Sequence, residues 1–163
     1  MILVGLGFFG DPFRISGGWT EENEIGRLWQ RFMAYLSAHP GRVQQVVDEK
    51  VAYELHIEHE ETPRTGECEV FVGVEVAAIE DVPVELSLKV LPPATYAVFT
   101  LRGEEITSDW QKMIGTDWLP GSGYESDYNY GLQRYDERFK GVEHMDESVL
   151  ELYVPVRACM PAT

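Results

Sequence analysis

The chain has 163 residues, 44% of them apolar and 12% aromatic, enough to fill one core and too apolar for a disordered chain. It carries 28 acidic against 13 basic residues, a formal net charge of −15, which argues against direct binding of nucleic acid, where Lys and Arg must neutralise phosphates. No apolar run approaches the roughly 20 residues of a membrane helix, and Cys68 and Cys159 make neither a disulfide framework nor a zinc spacing. No membrane association, no metal, no cofactor and a cytoplasmic setting are therefore expected. An acidic field enriches cationic ligands near a surface, although solubility alone accounts for such a charge equally well.

Residues 2–9 are apolar without a basic leader and predict a first strand rather than a signal peptide. Residues 10–20 form a loop, and Thr20 is the expected cap of the next helix. Ile25, Trp29, Phe32 and Leu36 recur at helical spacing and predict an amphipathic helix over 21–38, ended by Pro40-Gly41. Residues 51–58 and 68–76 predict two strands joined by a polar turn over 60–66. Residues 77–93 link two halves, with a further strand predicted over 84–90. Residues 95–101 open the second half as a strand. Arg102-Gly103 then turns into a second helix carrying Ile106, Trp110, Met113 and Ile114, which ends around 118–121. Residues 128–136 and 148–157 predict the closing strands.

The sequence repeats itself at an offset near 80 residues. Glu69-Val70-Phe71-Val72-Gly73-Val74 returns as Glu151-Leu152-Tyr153-Val154-Pro155-Val156, and Glu24-Ile25 with Trp29 returns as Glu105-Ile106 with Trp110. A looser match sets Tyr53-Glu54-Leu55-His56 against Tyr130-Gly131-Leu132-Gln133, making His56 and Gln133 counterparts. The expected fold is α+β: a duplicated strand-helix-strand-strand unit, an antiparallel sheet with two helices flanking a ligand groove, and pseudo-twofold symmetry. One domain is expected over 1–163, with repeat one about 1–76, a linker over 77–93 and repeat two about 94–157. A seam between two copies is a natural place for a pocket.

Leu91-Pro92-Pro93-Ala94-Thr95-Tyr96, Gly103, Trp110, Trp118-Leu119-Pro120-Gly121-Ser122-Gly123-Tyr124, Leu132-Gln133-Arg134-Tyr135 and the last strand together resemble the gyrase-inhibitor-like (GyrI-like) effector-binding family of bacteria. The resemblance implies a small-molecule-binding, multidrug-type protein that takes lipophilic cationic aromatic compounds in the groove. With a strand starting at residue 2, a stand-alone member without a helix-turn-helix is expected. The family's central acid falls in a Phe-Glu-x-Tyr motif, and here Gln133 stands where that glutamate is expected. Some relatives resemble hydrolases of cyclopropane-bearing toxins that use a Tyr and a Glu. A hydrolase, or a gyrase-modulating protein with a protein partner, are the alternative functions.

The candidate ligand-binding residues are Trp29, His56, Phe71, Tyr96, Trp110, Tyr130, Gln133, Tyr135 and Tyr153; no catalytic residue is assigned. Trp29 and Trp110 either stack on a flat cation or pack against the sheet. The tyrosines either offer hydroxyls to a ligand or pair across strands. His56 titrates near neutrality in an ordinary setting or is structural. Glu69 and Glu151, on one face, replace the missing central acid if that face is covered and are solvated if it is open.

Overall fold

A computed structural model of the chain describes residues 1–159. Its strands are β1 (Ile2–Gly10), β2 (Ala52–Ile57), β3 (Cys68–Glu75), β4 (Ser87–Val90), β5 (Thr95–Arg102), β6 (Tyr124–Ser126), β7 (Tyr130–Tyr135) and β8 (Val149–Ala158). They form one antiparallel sheet in the order β4-β1-β3-β2-β7-β8-β5, with β6 paired to β8. The run β1-β3-β2 is matched by β5-β8-β7, so the halves meet where β2 pairs with β7. At that seam Leu55 lies opposite Leu132. His56 pairs with Val70 as Gln133 pairs with Leu152, and Ile57 pairs with Glu69 as Arg134 pairs with Glu151. These registers define a pseudo-twofold axis through Leu55 and Leu132, with His56 and Gln133 as counterparts.

Because side chains alternate along a strand, each strand sends one set to the helix side and one to the far side. On the helix side Val70, Val72 and Val74 pack under Leu28 and Phe32 of α1 (Glu24–Ala38), and Leu150 and Leu152 pack with Ile106 and Ile114. On the far side Leu3, Tyr53, Leu55, Phe71 and Leu132 form a second core, flanked by Tyr130 and Tyr153.

The first helix starts later than the sequence predicts, and its cap is Asn23 rather than Thr20. The Asn23 Oδ1 accepts from the Gly26 N–H at 2.9 Å, and its Nδ2 donates to the Gly18 carbonyl at 2.9 Å. Thr20 and Glu21 are folded back against the helix instead. A Cβ on Gly26 would lie 2.5 Å from the Thr20 carbonyl oxygen and 2.5 Å from the Glu21 Cα, so only glycine lets that loop approach.

The second helix differs more. It is broken into a 3₁₀ turn (Gly103–Glu105), one α-helical turn that we call α2 (Trp110–Lys112), a π turn (Met113–Trp118) and a final 3₁₀ turn (Leu119–Gly121). Thr107 and Ser108 hydroxyls donate to the Glu104 and Glu105 carbonyls at 3.1 and 2.6 Å, and Asp109 accepts from the Lys112 N–H at 3.1 Å. Three successive polar residues thus bond to local backbone and interrupt the helix. The apolar positions still reach the sheet: Ile106 and Ile114 are buried.

Other boundaries shift modestly. β4 begins at Ser87, and Val84 stands exposed outside it. The polar turn over 60–66 holds one short helical turn, Thr62–Thr65, ended by Gly66 at φ 75°. β6 was not signalled by the sequence.

Candidate functional site

A cavity of about 770 Å³ opens on the helix side. Its floor is the β2–β7 seam; α1 and the loop before it form one wall, and residues 108–111 and 139–142 form the other. At the floor Glu54 and Gln133 face each other directly across the seam. Both are almost wholly buried, at 3% and 6% exposure.

Burying a carboxylate is costly unless its oxygens are satisfied, and Glu54 meets that demand. Its Oε2 accepts the Trp29 indole N–H at 2.6 Å and lies 3.4 Å from the Tyr135 hydroxyl. Its Oε1 is 2.6 Å from His56 Nε2. The Tyr135 hydroxyl has one proton and gives it chiefly to Gln133 Oε1, at 2.7 Å. Gln133 therefore orients the tyrosine, while Trp29 and His56 hold the acid.

Burial by itself would lower the His56 pKa. Hydrogen bonds to the Cys68 thiol and the Glu54 carboxylate, with the charge of that carboxylate, outweigh it and push the imidazole up to about 10. His56 is then an imidazolium at neutral pH. Burial, followed by the Glu54 charge, raises the Tyr135 hydroxyl well above its ordinary range, so it stays a neutral donor.

The walls are aromatic. Trp29 meets Tyr135 edge-on at 4.9 Å between ring centres, Tyr135 meets Phe139 at 4.8 Å, and Phe139 meets Trp19 at 6.1 Å. Trp110 lines the opposite wall from α2. Glu21, Glu49 and Asp109 stand at the exposed rim.

Of the residues singled out in the sequence, Trp29, His56, Trp110, Gln133 and Tyr135 line this cavity. Phe71, Tyr96, Tyr130 and Tyr153 do not. Strand alternation sends Phe71 and Tyr153, the immediate neighbours of the helix-side Val70, Val72, Leu152 and Val154, to the far side. There Phe71 is fully buried, the Tyr96 and Tyr130 hydroxyls bond each other at 2.7 Å, and Tyr153 donates to Glu151 at 3.1 Å. Glu69 and Glu151 also face that side and meet cations of the protein itself, Lys89 at 2.5 Å and Arg138 at 2.8 Å. Neither replaces a central acid in the cavity.

The residue that sequence reasoning missed is Glu54. Its signal was present: an acid two positions before His56, in the middle of the otherwise apolar stretch Val51–Ile57. The family motif places the acid at Gln133, but the acid stands directly across the seam from it. Trp19 and Phe139 were missed because their segments carry no periodic pattern. Among the described residues, no group of three His, Cys, Asp or Glu side chains is placed to hold a metal ion, and no helix is long and apolar enough to cross a membrane.

Two solved structures share the fold. One is SAV2435 bound to tetraphenylphosphonium, 15% identical with a TM-score of 0.66, covering 96% of this chain and 88% of that one. The other is a putative bacterial transcription regulation protein from Staphylococcus aureus MU50, 15% identical with a TM-score of 0.62, covering 97% of this chain and 93% of that one. No curated protein gives a significant match to the sequence. The family model named Cass2, integron-associated effector binding protein, matches residues 3–156, which takes in all but the outermost residues of the sheet and both walls of the cavity. On that match the chain belongs to the integron-associated effector-binding proteins, a GyrI-like group, and is an effector-binding protein for small molecules.

Proposed function

We propose that the protein binds lipophilic, cationic aromatic molecules in the cavity over the β2–β7 seam, with Glu54 as the counter-ion and Trp29 and Trp110 as stacking walls. The observation that carries this reading is the buried Glu54 carboxylate on the floor of a cavity of about 770 Å³ walled by aromatic rings. An aromatic body gains from leaving water, its charge gains from the carboxylate in a poorly hydrated site, and indole faces add cation–π attraction. The tetraphenylphosphonium held by the structural neighbour is a ligand of this class.

Titration with tetraphenylphosphonium, followed by tryptophan fluorescence and calorimetry, tests the reading. Binding near micromolar, on the order of −8 kcal/mol, is expected. Triphenylphosphine oxide, a neutral relative of similar aromatic bulk, should bind more weakly. Equal affinity for the two would remove Glu54 as a counter-ion, and no binding of either would remove the cavity as a site for this class.

A second reading, hydrolysis of a hydrophobic electrophile, draws on the Glu54–Tyr135 pair at 3.4 Å. It is the weaker of the two, because both Glu54 oxygens already have donors and neither is free to take a proton from a nucleophile. Mass spectrometry of a cyclopropane-bearing electrophile incubated with the wild type and Glu54→Gln separates them: Glu54-dependent turnover would favour the hydrolase.

A further inference from the structure

Glu54 is not a vacant counter-ion. His56 Nε2 lies 2.6 Å from its Oε1, and both side chains line the same cavity. The contacts on Oε2 come from Trp29 and Tyr135, which are neutral. Among the described residues, His56 is thus the one cationic side chain in contact with Glu54. An acid held by Arg could not give up its partner's charge, because guanidinium does not deprotonate in proteins. An imidazolium can.

Resting on the cation-binding reading of this site, we infer that His56 is a displaceable internal cation: a positively charged ligand captured at Glu54 expels the His56 proton, so binding releases a proton and tightens as pH rises. Two positive charges on one buried carboxylate repel each other in a medium that screens weakly. The cheapest relief is loss of the His56 proton to solvent. The neutral ring can keep its Nε2–H on Glu54, so the carboxylate loses a competing charge without losing its hydrogen bond.

The surroundings of the ring permit this. Glu54 on its own strand and the Cys68 thiol on β3 are the titratable groups that bear on it. Across the seam β7 presents Gly131 opposite it, with Gln133 two residues on, and α1 presents Trp29 over the floor. None of these carries a charge. Without ligand, the contacts with Cys68 and the Glu54 carboxylate outweigh burial and raise the ring's pKa above the ordinary histidine range, so a proton is there for the ligand to remove.

His56 is then a specificity-determining residue. At low pH the Glu54–His56 pair is internally neutral, and the cavity distinguishes cations from neutral aromatics poorly. At higher pH, or with ligand bound, the bare carboxylate favours the cation.

Calorimetry with tetraphenylphosphonium, a cation with no proton of its own, tests this in buffers of different ionisation heat between about pH 6 and about pH 9. The wild type should release close to one proton per ligand, and its affinity should rise by up to about tenfold per pH unit. His56→Gln keeps an amide donor for Glu54 but no charge. It should release no proton, show a flat pH profile, and bind the cation roughly tenfold or more tighter than the wild type at neutral pH. Triphenylphosphine oxide should show no pH dependence with either protein. Binding of the cation to the wild type with no proton released overturns the inference while leaving the cation site standing. An equal pH dependence in wild type and His56→Gln also overturns it, by assigning the proton to another group. Failure of both proteins to bind the cation at any pH overturns the cation-binding reading and this inference with it. If His56→Gln folds poorly, the proton count on the wild type decides alone.

Discussion

On the far side of the sheet Glu151 meets Arg138 at 2.8 Å and Arg134 at 3.4 Å, and Glu69 meets Lys89 at 2.5 Å. On the helix side Glu54 meets an indole N–H, a phenol and one imidazole. Both sides thus hold acids among aromatic rings, with opposite consequences. Hydrogen bonds from Arg138 lead the effects that hold the Glu151 carboxyl below its ordinary range, outweighing burial, and the fixed charge opposite it leaves nothing for a ligand to neutralise. Glu54 is deeper, yet its donors are neutral or able to lose a proton. Under the proposed cation-binding reading, a buried acid can receive a cation when the protein satisfies its hydrogen bonds without permanently satisfying its charge.

Substitution of Glu54 should break this contrast most completely. Glu54→Gln keeps the shape and loses the charge. It should weaken tetraphenylphosphonium binding by about 2 kcal/mol or more, roughly thirtyfold, with little change for triphenylphosphine oxide. Its effect on stability has a definite sign with pH. The unfolded chain releases the His56 proton near 6.5 and the folded chain near about 10. The pair's contribution is therefore complete below 6.5 and is lost as pH rises through that window. The difference in melting temperature between wild type and Glu54→Gln should shrink from pH 6.5 towards 10; a constant difference would mean that His56 is neutral in the fold.

Gln133→Glu places a second carboxylate directly across the seam from the first. Like charges in one buried site raise a pKa, and Tyr135 has one proton to share between them. A stability loss of about 1–3 kcal/mol near neutral pH is expected from chemical denaturation, recovering in mild acid as the raised group protonates. Full stability at neutral pH would show that Gln133 and Glu54 do not share the floor. Trp110→Ala should weaken the cation by about 0.5–2 kcal/mol, and unchanged affinity in a folded variant would take Trp110 out of the binding wall. Glu151→Gln, on the far side, should leave cation affinity within about twofold and cost stability on the order of 1 kcal/mol or less, since its partners are partly exposed. A large loss of affinity there would mean that ligand reaches the far side.

Much of this arrangement was legible in the sequence, for identifiable reasons. Strand positions followed from alternating apolar residues, and the repeat set the order of the halves, because Glu69 and Glu151 occupy matching registers beside Ile57 and Arg134. The broken second helix was less legible. Ile106, Trp110, Met113 and Ile114 are spaced as a helix needs, but Thr107, Ser108 and Asp109 bind their own backbone and interrupt it. The site was half legible. Trp29, His56, Trp110, Gln133 and Tyr135 reach one cavity, whereas Phe71, Tyr96, Tyr130 and Tyr153 show that a tyrosine or phenylalanine in a strand does not announce its side of the sheet. Glu54 was not legible because the family motif places the acid on β7, and a two-stranded floor has two places for the same acid.

A crystal structure of the protein with tetraphenylphosphonium asks most directly whether Glu54 is the counter-ion. The phosphorus should lie over the Glu54 carboxylate, within about 6 Å, with phenyl rings against Trp29 and Trp110. A phosphorus atom seated at the rim beside Glu49 or Asp109, or a ligand bound among Tyr96, Tyr130 and Tyr153 on the other side of the sheet, would contradict it.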